Sequence, residues 1–157
     1  MDLDSDAPDR TLTIVRNFDA PRDLVFKAWS QPEQVVRWWG PKGFTTPSCR
    51  MDVRQGGSYR TVMRSPEGKE HVMRGRYREV VPPERLVMTF AWEDAEGRAG
   101  HETMVEVLFE DIAGRTRLTF RHGTFESSEA CDQHLQGWTR FMESLADYLA
   151  DGRAVDA

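Results

Sequence analysis

Three of the chain's histidines, His71, His101 and His122, sit in stretches that alternate polar and apolar residues in the manner of strands. Imidazole changes charge near neutral pH and also ligates metals. A cluster of histidines would therefore serve as an acid–base pair or a metal site. Hairpin counting brings them together. If residues 110 and 115 flank a turn, paired positions sum to about 225, which sets His122 opposite Thr103 and diagonal to His101. The same counting across 92–101 sets Trp92 opposite His101. Across 81–84 it sets Met73 near Trp92, with His71 one step further. A one-residue slip or a bulge would scatter the cluster. No HxH or HxxxH spacing supports a metal, so neither metal nor other cofactor is expected. His101, His122 and Tyr77 stand as candidate acid–base groups. The alternative is separate, partly wet histidines at strand ends.

A second set of residues suits binding more than reaction. Trp29, Trp38, Trp39, Trp92 and Trp138 could wall a site for an apolar or aromatic ligand, or could simply pack a core. Trp38, Trp39 and Trp92 fall at the ends of elements, where the mouth of a cavity would lie. The inward positions of the strands read as Tyr59, Thr61, Met63, Met73, Tyr77, Met88, Phe90, Trp92, His101, Thr103, Val105 and His122. Hydroxyls and imidazoles need partners once buried, and methionines adapt to variable contents. Arg50 would join the hydroxyls in orienting a ligand unless it faces outward. Gly137 lies inside a helix, where glycine costs about 1 kcal/mol against alanine. Gly75 and Gly137 remove side chains where sheet and helix could otherwise meet. The expected ligand residues are thus Trp38, Trp39, Tyr59, Met73, Tyr77, Met88, Phe90, Trp92, His101, Thr103, His122, Gly137, Trp138 and Phe141.

Other chemistry finds little support. Glu102, Glu106 and Glu110 recur at period four on a strand, so all should point outward and be wet. Cys49 on an inner face reads as a small buried hydrophobe rather than a nucleophile. No GxSxG, Walker, GxGxxG or HExxH signature is present.

The elements that must position these residues are legible. Residues 128–150 carry Leu135, Trp138, Phe141, Met142, Leu145, Tyr148 and Leu149 at steps of three and four, one apolar stripe of a long helix. Ser127 or Ser128 offers its N-cap and Gly152 its stop. Thr11 to Phe18 reads as a first strand. Pro21 opens a short helix with Leu24, Val25, Ala28 and Trp29 on its buried side. Ser30 to Glu33 has capping-box spacing and starts a second helix, which Gly40-Pro41 stops. Strands are expected near 44–54, 57–64, 70–81, 84–92, 101–110 and 115–122, parted by Gly- and Pro-containing turns. Short links favour an antiparallel meander. The fold class is therefore α+β, ordered β-α-α-β6-α, with a curved seven-stranded antiparallel sheet wrapped around a long C-terminal helix.

The chain has 157 residues, a net charge of −5 and 30% charged residues, which suits one domain over 11–150 with tails at 1–10 and 151–157. The arginines are interspersed with acids, which argues against nucleic acid. No apolar run approaches the ~20 residues of a membrane span, and the acidic N-terminus lacks a signal-peptide core. Two cysteines without a CxxC, Cys49 and Cys131, fit free thiols in a cytoplasm.

Residues 18–41, FDAPRDLVFKAWSQPEQVVRWWGP, resemble the opening of the family of small proteins homologous to the activator of the Hsp90 ATPase, within the START-like helix-grip superfamily. Asp52 to Gly57, Gly75 to Leu86 and Gly137-Trp138 carry the resemblance further, over roughly residues 11 to 150. It implies a cavity between sheet and C-terminal helix, and no single activity. Binding of a small hydrophobic or aromatic molecule, without catalysis, is the first expectation. A cavity enzyme of cyclase or hydratase type, and a chaperone-associated module, are the others. A homodimer contact stays open.

Overall fold

A computed structural model describes residues 10–151. The expected tails, Arg10 and Asp151 apart, and the helix stop at Gly152 lie outside the described residues. The order is β1 (Leu12–Phe18), α1 (Arg22–Ser30), α2 (Pro32–Trp38), β2 (Thr45–Met51), β3 (Ser58–Arg64), β4 (Glu70–Val81), β5 (Arg85–Trp92), β6 (Thr103–Ile112), β7 (Arg115–Gly123) and α3 (Ser128–Ala150). The strands form one antiparallel sheet in the order β1-β7-β6-β5-β4-β3-β2. It curves around α3, so the fold is the helix-grip α+β arrangement.

Burial explains the local structure. β6 alternates buried and partly exposed residues, with Thr103, Val105, Val107 and Phe109 inward. Ser127 caps α3 by accepting from the Ala130 amide at 3.1 Å. α3 then buries Cys131, Trp138, Phe141, Met142, Leu145 and Tyr148. Gly75 is demanded by the sheet itself: a Cβ there would collide with the Thr89 carbonyl. The Tyr59 ring lies across this glycine, and its hydroxyl donates to that carbonyl at 2.6 Å.

Several expectations are corrected. Ala113-Gly114 forms a two-residue turn with φ of 54° and 85°, so β6 runs two residues further, to Ile112 opposite Arg115, and Val105, not Thr103, pairs with His122. Thr103 is the last residue of β6 to pair with β5, opposite Phe90, so His101 and Glu102 fall outside the strand. There is no capping box at Ser30. That residue ends α1 with its hydroxyl on the Phe26 carbonyl, and Gln31 precedes α2 without a side-chain cap. Leu135 is 38% exposed and Leu149 half-buried, because the stripe of α3 is centred one residue round, on His134 and Trp138. In α1, Phe26 is buried and Leu24 only partly. Glu106 is not wet, since Arg85 at 2.8 Å and Arg121 at 3.6 Å clamp it on the outer face.

Candidate functional site: an apolar groove beside the last helix

Glycine at position 137 breaks the row of side chains along α3. A Cβ there would meet nothing within 4 Å. The glycine thus marks space, not close approach of the sheet. That space is a groove of about 310 Å³. Its walls are Met63 of β3, Met73 of β4, Phe90 and Trp92 of β5, Pro41 of the α2–β2 loop, and Gln133, His134, Gly137, Trp138 and Phe141 of α3. None of these side chains is a carboxylate, ammonium or guanidinium. The small-molecule range begins near 300 Å³, so the groove fits one small apolar body.

Deeper in, sheet and helix close on one another. The enclosed void measures about 20 Å³, lined by Trp29, Val35, Trp39, Met51, Tyr59, Thr61, Tyr77, Met88, Phe90, Val105 and Trp138. The enclosed cavity that the resemblance implies is thus reduced, inside the molecule, to room for a single water-sized group. Phe90 and Trp138 line both spaces and stand between them. Beside them the Trp39 indole N–H donates to the Met73 sulfur at 3.1 Å.

The indole and imidazole groups along the groove are bonded to partners within the protein. Trp92 donates its indole N–H to His134 Nε2 at 2.9 Å. Nε2 therefore carries no proton, and Nδ1–H donates to the Ala130 carbonyl at 2.7 Å. Trp138 donates to His122 Nδ1 at 3.0 Å, so His122 Nε2–H faces Thr103 Oγ1 at 2.6 Å. The Thr103 hydroxyl passes its own hydrogen to the Phe90 carbonyl at 3.0 Å. Both rings are thus held neutral. Burial pushes the His122 pKa well below its usual value, helped by His134. Burial lowers that of His134 too, against the opposing effect of the Ala130 carbonyl.

The candidate residues separate accordingly. Met73, Phe90, Trp92, Gly137, Trp138 and Phe141 meet at the groove. Tyr59, Tyr77, Met88 and Trp39 lie around the inner void. Thr103 and His122 are buried behind Phe90 and Trp138. Trp38 is core, donating to the Ala28 carbonyl at 2.9 Å, and lines neither space. His101 is exposed beside the Thr124 carbonyl, and His71 packs between Phe44 and Trp92. The cluster of His71, His101 and His122 does not form. The histidine beside His122 is His134, with ring centroids 5.6 Å apart. Sequence reading missed it, although it sits four residues before Trp138 on the same helical face. Among the described residues no three His, Cys, Asp or Glu side chains are grouped to hold a metal. Burial also raises the Tyr77 and Cys49 pKa values, so neither is poised as a base or nucleophile. Arg50 faces outward and is exposed.

Comparison with known proteins agrees with this architecture. Curated proteins offer no significant match to the chain. An AHSA1 protein from Silicibacter pomeroyi is 30% identical, with 89% of this chain and 97% of that one covered and a TM-score of 0.81. A protein from Arthrobacter aurescens, solved by NMR, is 26% identical over 96% and 92% of the two chains, also with a TM-score of 0.81. The model of the activator of Hsp90 ATPase homologue 1-like family matches residues 19–150. The chain therefore belongs to that family, and with it to the START-like superfamily.

Proposed function

We propose that the protein binds a small, uncharged, apolar or aromatic molecule in the groove beside α3, without catalysing a reaction on it. The observation that carries this reading is Gly137. Mid-helix glycine costs about 1 kcal/mol, and no neighbour at this position forbids a side chain. What the glycine keeps is open space between two methionines and four aromatic side chains, Phe90, Trp92, Trp138 and Phe141. Thioethers adapt to a ligand's shape, and ring edges and faces pack against an aromatic one. The absence of charge in the lining disfavours an ionic ligand, whose desolvation would go uncompensated.

A cavity enzyme is less well supported. Both nitrogens of His122 and of His134 are already bonded, which leaves no free acid–base position. A chaperone-associated module would be served by a flat apolar patch on the sheet. The outer face instead carries ion pairs such as Arg60 with Glu93 and Arg85 with Glu106.

The test uses N-phenyl-1-naphthylamine, a neutral probe that fluoresces when removed from water. Saturable one-to-one binding to the wild type, with a raised melting temperature, is expected. Gly137→Leu should fold and lose the binding, since leucine fills the groove. Equal binding by Gly137→Leu would overturn the assignment.

A further inference from the structure

The outer face of the sheet, opposite the groove, carries a row of arginines. The pairing registers set Arg50 of β2 directly opposite Arg60 of β3, and Arg60 directly opposite Arg74 of β4. Three guanidiniums thus cross three strands in one row, at the strand spacing of about 4.8 Å. Arg76 projects from the same face two residues along β4. Like charges directly opposite one another destabilise a sheet, so the row is unfavourable on its own. One carboxylate serves it. The Glu93 side chain, 6% exposed, takes Arg60 in a two-pronged bond at 2.7 and 3.0 Å and reaches Arg74 only at 3.5 Å. Among the described residues Arg50 and Arg76 form no ion pair.

These side chains wall a trough of about 810 Å³. Its floor includes Ser58, Thr89 and Ala91, all small. The loop between β5 and β6 closes one side, bridged at Glu93 and Ala99 and pinned where Arg74 donates to the Gly97 carbonyl at 3.3 Å. The other acids at the trough are Asp52, held by Arg54 at 2.9 Å, and Glu102 at the rim. Cations are therefore in excess here, on a chain whose net charge is −5. A trough closed on one side, within the volume range of small-molecule sites, suits a compact ligand better than a nucleic acid strand. Planar guanidiniums match phosphate oxygens with paired hydrogen bonds.

We propose that this trough binds a small phosphorylated compound carrying two or three negative charges, with Arg50, Arg74 and Arg76 as its ligands and Arg60 fixed by Glu93. Calorimetry with inorganic pyrophosphate at low ionic strength, against chloride at matched ionic strength, tests it. One saturable site per chain is expected, weakening as salt rises. The double variant R50Q/R76Q changes two exposed residues and should keep the fold. Its affinity should fall at least tenfold, while R37Q/R140Q, with the same charge change elsewhere, binds as the wild type. Amide shifts on titration should centre on residues 50, 60, 74 and 91. Absence of saturable binding, equal affinity in R50Q/R76Q, equal loss in R37Q/R140Q, or shifts spread over the surface would each overturn the site.

Discussion

At Gly137 the local cost and the local space give separate expectations. Gly137→Ala should raise unfolding stability by about 0.5–1 kcal/mol in denaturant titration, because the added methyl meets open space and favours helix. A loss of stability would mean that the sheet approaches more closely than the groove implies. The two histidines give a pH signature. Both have folded pKa values below the usual 6.5, so the unfolded chain binds their protons first. Their contribution is complete above about pH 6.5 and is lost as pH falls through the folded values. Melting temperature should therefore drop between roughly pH 7 and 5, before the carboxylates titrate. His134→Gln, which can still accept from Trp92, should flatten that drop. An unchanged profile in His134→Gln would show that His134 does not titrate on unfolding. His134 was hidden in the sequence because a histidine on a helix reads as solvated until its indole partner, distant in the chain, is known.

α3 joins the sheet through one residue above all. Trp138 packs on Phe120 at 4.5 Å between ring centroids and supplies the indole that fixes His122. Trp138→Ala should cost about 3–5 kcal/mol, the range for large aromatic truncations in cores. A measured loss under about 1 kcal/mol would contradict the packing described. The strands and α3 were legible because period-two and period-3.6 patterns survive in a sheet with one wet face. Registers were partly legible. Counting across the β4–β5 link placed Met73 near Trp92, and the two are paired. Counting across β6–β7 missed by two, because the positive φ values at Ala113 and Gly114 allow a tighter turn than the strand patterns suggest. An error of two keeps every side chain on its face, which is why the inner face was read correctly apart from His101, beyond the strand end.

At the scale of the whole molecule, sheet and helix enclose almost nothing, and the accessible space is displaced to one flank of α3. Composition could foretell mixed inner residues, but not how far Trp39 and Met73 would lean together to close the interior. The outer arginine row was likewise invisible until registers aligned residues 50, 60 and 74. The central claim is that the groove at Gly137 is the binding site, and the five tryptophans report on it directly. In a nitrogen-15 spectrum of the indole N–H groups, titration with N-phenyl-1-naphthylamine should shift Trp92 and Trp138, which line the groove. Trp38, bonded to the Ala28 carbonyl in the core, should stay in place. Unmoved Trp92 and Trp138 signals, or a shift centred on Trp38, would contradict the account.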